Sequence, residues 1–213
     1  MSEEKEKRAA LVATSVQMQR AGFAVAKSGN VSCRVGEDML ITPSGLDFEE
    51  MGEADLVRLA LDGTVRSGER TPSSEWRFHA AIYRSRPEAQ AVVHTHSPKA
   101  SALSCARKPI PAFHYTVGLA GGHDIRCADY ATFGTQDLSE NALRALEGRR
   151  AVLLANHGVI AFGPSLPDAL RLAEEVESLA GRYLALLAAG LEPVILDESE
   201  MQRVAKQFSA YGR

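Results

Sequence analysis

Short apolar segments typical of β-strands alternate along this chain with longer segments that have the periodicity of amphipathic helices. Strands are predicted at residues 30–34, 39–42, 56–61, 91–96, 151–154 and 159–162. Helices are predicted at residues 4–21, from Ser73 or Ser74 to about 85, from Pro98 onward with Ser97 as cap, and at 135–146 and 166–189. Interleaved strands and helices indicate a sheet covered by helices, and hairpin turns such as Asp62-Gly63 indicate that part of it is antiparallel.

Length and composition limit the architecture and the partners. With 213 residues, 45% apolar, and with no repeat or linker, the sequence predicts a single domain over residues 1–213. The net charge of -3 gives no electrostatic basis for binding nucleic acid or a membrane surface, and no apolar run approaches the roughly 20 residues of a membrane span. The N-terminal MSEEKEKRAA lacks the apolar stretch of a signal peptide. A cytoplasmic protein is therefore expected, with reduced thiols at Cys33, Cys105 and Cys127.

The tripeptide His94-Thr95-His96 is the first chemical signal in the sequence. Side chains two residues apart on a strand point to the same face, so both imidazoles could reach one ion, at about 2.0–2.1 Å for zinc. Such a pair alone fits two half-buried histidines bonded to the backbone equally well. Here it follows an apolar strand and precedes a predicted helix, a position where binding sites are common.

Two further residues could complete such a site. Glu75 lies in Pro-Ser-Ser-Glu-Trp at a predicted helix start, where the helix dipole also favours a carboxylate. His157 follows an apolar strand in Leu-Leu-Ala-Asn-His-Gly, where a lone histidine is more often structural. Together with His94 and His96, they form a plausible site for zinc or another divalent cation such as Co²⁺ or Mn²⁺.

Other histidines compete for these roles. His79 lies four residues after Glu75 on the same predicted helix, so the two side chains could pair with each other. His114 and His123 lie in residues 109–130, a Gly- and Pro-rich region predicted to mix strand and loop. Spacing alone does not exclude any of the three as a ligand.

Three small polar segments could bind a phosphate group: Ser28-Gly29-Asn30, Thr42-Pro43-Ser44-Gly45 and Pro72-Ser73-Ser74. Glycine lets backbone N–H groups approach an oxyanion, and hydroxyl and amide groups add hydrogen-bond donors. A helix N-terminus after Ser73 and Ser74 would also favour negative charge. Each segment alone is more often a plain turn or helix cap. The hypothesis that they bind phosphate therefore depends on their occurrence together with the metal residues.

The motifs GNVSCR, LITPSG, PSSEWRFH, AVVHTHS, IPAFHY, YATFGTQDLS and NHGVIAFG occur in this order. In that combination the chain resembles the class II aldolase/adducin family over nearly its whole length, and within it most closely the L-fuculose-1-phosphate aldolases. The resemblance implies a three-layer α/β/α sandwich with a central, largely antiparallel sheet. It also implies a homotetramer with four-fold symmetry and a small-molecule sugar phosphate as substrate.

The resemblance also assigns roles to residues by position. The residues that match the family's zinc ligands, to the exclusion of His79, are Glu75, His94, His96 and His157. The residues that match its phosphate-binding positions are Gly29, Asn30, Ser44, Gly45, Ser73 and Ser74. Lys27 stands where the fuculose enzymes usually have a phosphate-contacting threonine, and a lysine could still bind the anion as a point charge.

The acceptor side of the site is assigned in the same way. Tyr115 matches the tyrosine that acts on the oxygen of the acceptor aldehyde. Residues 200–213 have the pattern of a short amphipathic helix. Within this tail, Phe208 and Tyr211 match residues that close over a neighbouring subunit's active site.

The implied activity is zinc-dependent cleavage of a ketose 1-phosphate, first of all L-fuculose 1-phosphate, to dihydroxyacetone phosphate and L-lactaldehyde through a metal-held enediolate. Glu75 is expected to leave the metal and to move the proton at the carbon of the dihydroxyacetone phosphate half. Glutamate at this position favours the aldolases over related 4-epimerases of pentulose phosphates, which usually carry aspartate. A dehydratase or decarboxylase of another sugar phosphate stays as an alternative.

Overall fold

The computed structural model describes residues 3–25 and 27–210. Within this part of the chain the strands are β1 (Asn30–Val35), β2 (Asp38–Ile41), β3 (Val57–Ala60), β4 (Val65–Ser67), β5 (Ala91–Thr95), β6 (Cys127–Ala128), β7 (Ala151–Leu154) and β8 (Gly158–Gly163). The α-helices are α1 (Glu3–Arg20), α2 (Trp76–Ser85), α3 (Pro98–Cys105), α4 (Gln136–Ala145), α5 (Leu166–Ala188) and α6 (Glu198–Ala210). Short 3₁₀ helices lie at Glu53–Asp55 and Tyr115–Ala120.

The strands form one sheet in the order β4-β3-β2-β1-β5-β8-β7-β6. Neighbouring strands pair antiparallel except β6 and β7, which are parallel. The sheet is therefore largely antiparallel, as predicted. Strand β5 lies at its centre, between β1 and β8, and its register with β1 places Asn30 opposite His94.

Alternate side chains of the strands pack against helices on opposite faces of the sheet. On one face, residues such as Val93 share a core with α1, α3 and α5. On the other face, residues such as Val92 share a core with α2 and α4. The prediction of a three-layer α/β/α sandwich is confirmed. His94 lies two residues after Val92 on β5, so its ring points to the same face of the sheet, toward α2. There it packs edge to face against Phe78, with 5.4 Å between the ring centroids.

The start of α2 differs from the sequence prediction. Glu75, and neither Ser73 nor Ser74, occupies the capping position, and its side chain makes no capping hydrogen bond. The two serines are held outside the helix because Pro72 bridges to Pro43 and the Ser73 N–H donates to the Thr42 carbonyl at 3.1 Å. The segment that precedes α2 is therefore paired with the residues just after β2 and is not part of the helix.

The start of α3 is as predicted in position but not in its hydrogen bonds. Ser97 precedes Pro98 at the helix N-terminus, yet its side chain makes no capping hydrogen bond. The carboxylate of Glu177 on α5 takes this role, because it accepts from the N–H groups of Lys99 at 3.0 Å and of Ala100 at 2.8 Å. A buried acid on one helix thus caps another helix in the same layer.

The two C-terminal helices follow their sequence patterns. Helix α5 begins after Ser165, whose hydroxyl accepts from the Asp168 N–H, and Gly190 follows its end at a φ of 67°. Helix α6 confirms the predicted tail helix as far as residue 210. Among residues 3–25 and 27–210, no helix is long and apolar enough to cross a membrane.

Candidate functional site

Three histidines and one glutamate converge at the C-terminal end of β5. The ligand atoms of His94, His96 and His157 lie within 4.8 Å of one another. His94 Nε2 is 3.0 Å from His96 Nε2 and 3.2 Å from Glu75 Oε2. His157 Nε2 is 3.3 Å from Glu75 Oε1. The residues predicted as one ligand set therefore form one cluster, although they come from three separate parts of the chain.

Each part of the cluster is held by a different element. His94 lies on β5, His96 directly follows it, and Glu75 precedes α2. His157 lies in the turn between β7 and β8, where Asn156 adopts a left-handed φ of 55°. This turn is fixed because the Asn156 N–H donates to a carbonyl at the end of α3, that of Ser104, at 3.0 Å.

Two glycines permit the close backbone approaches on which the cluster depends. A Cβ at Gly158 would lie 2.2 Å from the carbonyl oxygen of Thr95 and 3.0 Å from the His96 ring. A Cβ at Gly29, where φ is +78°, would lie 2.8 Å from the His94 carbonyl oxygen. Any side chain at these positions would push against the backbone that carries the histidines.

Burial sets the charge of the cluster. It lowers the pKa of His96 to about 3 and that of His157 to about 4, and His94 adds to both effects. Both imidazoles are therefore neutral near pH 7, which is the form that ligates a metal. Burial alone would raise the pKa of Glu75, but His94, His157 and the Asn30 amide more than offset it and hold that pKa well below its usual range. Glu75 is therefore ionised.

The donor set fits a divalent cation. Ligands bonded to a tetrahedral zinc ion at 2.0–2.1 Å lie about 3.3 Å apart, close to the separations in the cluster. His94 Nδ1 lies 2.9 Å from the Val159 carbonyl oxygen, to which it donates, and this leaves Nε2 as a ligand atom. Glu75 Oε1 is buried with no hydrogen-bond partner among the described residues, a deficit that a cation would satisfy. Imidazole and carboxylate donors together suit zinc and similar ions.

The three competing histidines lie outside this cluster. His79 Nε2 contacts Asn30 and its Nδ1 contacts Ser32, so neither ring nitrogen is free for a metal. His114 contacts Thr116 through Nδ1 at 2.8 Å. His123 is exposed and lies 3.4 Å from Arg149. The geometry favours the ligand set that the resemblance implies.

A pocket of about 320 Å³ opens beside the cluster, a size suited to a small ligand. Glu75, His96 and His157 form one part of its wall. The predicted anion-binding segments form another part, with Gly29, Asn30, Ser44, Gly45, Ser73 and Ser74. Two of these segments are joined, because the Ser73 N–H donates to the Thr42 carbonyl at 3.1 Å. The six predicted phosphate-binding residues and three of the four predicted metal ligands therefore line one pocket.

Further residues line this pocket besides the six phosphate-binding positions that the resemblance assigned. Ser28 Oγ is buried with no hydrogen-bond partner within the described residues, so it is available to a ligand. Lys27 adds a positive charge to the wall. Tyr130 and Phe133 also line the pocket, although they are 54% and 65% exposed. Both aromatic residues belong to the motif YATFGTQDLS, which contributed to the resemblance.

Tyr115 lies apart from the pocket of its own chain. It is 52% exposed and lines a second groove together with side chains of α6, including Phe208. The rings of Tyr115 and Phe208 stack with centroids 6.0 Å apart. Two residues assigned to the acceptor side thus lie together but outside the pocket that contains Glu75. The third, Tyr211, lies outside the described residues.

Several known proteins are similar to this chain in sequence and in fold. The sequence model of the Class II Aldolase and Adducin N-terminal domain matches residues 9–184. A 5-methylthioribulose-1-phosphate/5-deoxyribulose-1-phosphate aldolase from Rhodospirillum rubrum is 50% identical over 202 residues, which cover 95% of this chain and 90% of the relative. An L-fuculose phosphate aldolase from Escherichia coli O6:H1 is 46% identical over 202 residues, covering 95% and 94%. A solved L-fuculose 1-phosphate aldolase matches with a TM-score of 0.93 and 41% identity over 98% of both chains.

Proposed function

The chain belongs to the class II aldolase and adducin family and is a class II aldolase, a lyase, and from this premise we propose that it cleaves a ketose 1-phosphate to dihydroxyacetone phosphate and an aldehyde. The observation that carries this proposal is the single pocket that joins the Glu75–histidine cluster to the three anion-binding segments. Such a pocket can hold a phosphate at one end of a short sugar and the reacting carbons at the other.

The names of the relatives support three substrates of one chemical class. We propose L-fuculose 1-phosphate first, which would release L-lactaldehyde, because the solved structure with a TM-score of 0.93 bears that name. The relative from Rhodospirillum rubrum, at 50% identity, supports 5-methylthioribulose 1-phosphate or 5-deoxyribulose 1-phosphate as the second candidate. These substrates share the phosphate-bearing half and differ in the aldehyde that they release.

The residues of the pocket divide the chemical work. A divalent cation, which we propose to be zinc, would be held by His94, His96, His157 and the resting Glu75, and it would polarise the carbonyl next to the breaking bond. The anion-binding segments would hold the phosphate and so align the donor half. Glu75 is ionised and would act as the base that moves the proton at the carbon of the dihydroxyacetone phosphate half.

A panel of phosphorylated sugars tests this function. Purified protein is expected to release dihydroxyacetone phosphate from ketose 1-phosphates, to lose this activity after chelation and to regain it when zinc is added. The same ketoses without phosphate serve as controls. They should react poorly, because without a phosphate the anion-binding segments contribute nothing to the binding and alignment of the sugar. Products that keep all the carbons of the substrate would indicate an epimerase or a dehydratase, and released carbon dioxide would indicate a decarboxylase.

We further propose that Tyr115 and Phe208 complete the pocket of a neighbouring subunit in a homotetramer. Their support is their shared groove on the outside of the subunit and their separation from the pocket of their own chain. Tyr115 would exchange a proton with the oxygen of the aldehyde, and α6 would close the acceptor side. Each pocket would then combine a donor half from one chain with an acceptor half from the next.

Active-site complementation measures this sharing of sites. Tyr115→Phe and His96→Ala chains are each expected to have low cleavage activity alone. When they are mixed, unfolded and refolded in equal amounts, about a quarter of the sites in a ring would combine an intact cluster with an intact neighbouring tyrosine. Activity should therefore rise clearly above the average of the two separate variants. If it does not, Tyr115 acts within its own chain or not at all.

A further inference from the structure

A buried chain of hydrogen bonds leads from Glu75 Oε2, which also lies 3.2 Å from His94 Nε2, to residues outside the histidine cluster. Asn30 Nδ2 lies 2.9 Å from Glu75 Oε2, and Asn30 Oδ1 lies 2.5 Å from His79 Nε2. Beyond the ring, Ser32 Oγ lies 2.7 Å from His79 Nδ1 and 2.8 Å from the Tyr83 hydroxyl. All five side chains are at most 6% exposed, so none of these groups can exchange its partner for bulk water.

The orientation of the Asn30 amide fixes the direction of the other bonds in this chain. Asn30 Nδ2 donates to Glu75 Oε2, so Asn30 Oδ1 faces His79 Nε2. His79 Nε2 must then carry the ring proton, because Oδ1 is an acceptor. The ring is neutral, since burial lowers the pKa of His79 to about 3, and its Nδ1 is therefore an acceptor.

The donor and acceptor of each of the remaining two hydrogen bonds follow from the number of protons that each group carries. Ser32 has one hydroxyl proton, and it must donate this proton to His79 Nδ1. The Tyr83 hydroxyl must then donate to Ser32 Oγ. Four consecutive hydrogen bonds thus donate in the direction of Glu75. The direction of each bond is set by the neighbouring bond that lies nearer to Glu75.

We propose that His79 is a positioning residue of the active site, which holds the Asn30 amide so that it donates to Glu75 Oε2 and leaves Oε1 facing His157. The two orientations of an amide have nearly the same shape, so only hydrogen-bond partners select one of them, and the Nε2 proton of His79 and the carboxylate of Glu75 select the same one. Without the Nε2 proton of His79, Asn30 Oδ1 would lose its partner, and the amide would hold Glu75 less firmly. The effect of His79 on turnover rests on the proposed function, whereas its effect on Glu75 and the metal does not.

The ring itself is held firmly enough for this role. His79 stacks on Phe78 with centroids 4.6 Å apart and an interplanar angle of 23°. Its position four residues after Glu75 puts both on the same side of the α2 segment. Asn30 is fixed from β1, where it pairs with His94. This chain of bonds therefore connects Glu75, which directly precedes α2, to β1, the strand that pairs with β5 and its histidine His94.

Two substitutions at one site separate positioning from packing. His79→Leu fills the space without a donor, whereas His79→Gln restores an N–H group near the position of Nε2. Direct partners of metal ligands, as Asn30 is of Glu75, typically contribute about 10–100-fold. Because His79 acts through Asn30, we expect His79→Leu to lower both zinc affinity and kcat by up to about that factor, with little change in KM. His79→Gln should recover most of both losses. Equal losses in the two variants, or none in His79→Leu, would overturn the proposal.

The ring proton can be observed without substrate and without metal. In a ¹⁵N spectrum of histidine rings at neutral pH, the signal that His79→Gln removes is expected to show the tautomer protonated at Nε2. Ser32→Ala, a smaller change that tests the proposal if His79→Leu does not fold, removes the donor to Nδ1 and should weaken zinc binding partly, while Asn30 Oδ1 keeps the ring protonated at Nε2. Tyr83→Phe is the matched control and should leave both the tautomer and zinc binding unchanged, because Ser32 still donates. A ring protonated at Nδ1 in the wild type would overturn the proposal, whatever reaction the enzyme catalyses.

Discussion

Replacement of His96 by alanine is expected to remove the metal and to lower kcat/KM about a thousandfold, while the protein stays folded. The metal's charge would supply several kcal/mol of stabilisation to the transition state, and the loss of about 4 kcal/mol corresponds to that factor. His96 is the ligand best suited to this test, because its ring is half-buried and its ring contacts are with His94 and His157. Metal content after dialysis against zinc, together with thermal unfolding, measures both parts of the expectation.

Two other histidines provide the comparison for this experiment. His123→Ala should keep its metal, because His123 is exposed and lies outside the cluster. His94→Ala should lose metal as His96→Ala does, but it should also unfold at a lower temperature, because His94 is fully buried and bonded to the Val159 carbonyl. A His96→Ala variant with a full complement of zinc and normal turnover would disprove the ligand assignment.

The parts of the fold that could be predicted from sequence are those with a local cause. The alternation of Val92, Val93 and His94 along β5 indicates opposite faces whatever the rest of the chain does. The predicted cap of α2 is wrong because Pro72 and Ser73 pair with Pro43 and Thr42 just after β2, and no local sequence pattern indicates that contact. The 3₁₀ helix at Tyr115–Ala120 was not predicted, because residues 109–130 have no clear apolar period.

The site shows the same division between local and distant causes. The spacing of His94 and His96 indicates a shared face, whereas the choice among Glu75, His79 and His157 needed the family resemblance. No spacing could indicate that His79 bonds to Asn30, because that contact depends on the register of β1 with β5 and on the packing of α2 against the sheet. The unpartnered hydroxyl of Ser28 is likewise visible only in three dimensions.

Glu75→Gln is expected to keep a weakened metal site and to abolish most proton transfer at the donor carbon. The substitution preserves the shape of the side chain and an oxygen that can accept from Asn30, but it removes the negative charge and the basic group. General bases contribute about 10²–10⁴-fold, so exchange of the proton of dihydroxyacetone phosphate with deuterated solvent should slow by that factor. This exchange needs no aldehyde, so it isolates the step assigned to Glu75 from those assigned to Tyr115.

Glu177→Gln is the matched control for this experiment, because Glu177 is a second glutamate that is 6% exposed, as Glu75 is. Its carboxylate accepts from the backbone at the start of α3, so its loss should lower stability and leave proton exchange unchanged. Wild-type exchange in zinc-loaded Glu75→Gln would show that another group is the base. If the variant holds no zinc at any concentration, Glu75 acts mainly as a ligand. A slow exchange with zinc still bound is the one result that requires Glu75 to move the proton itself.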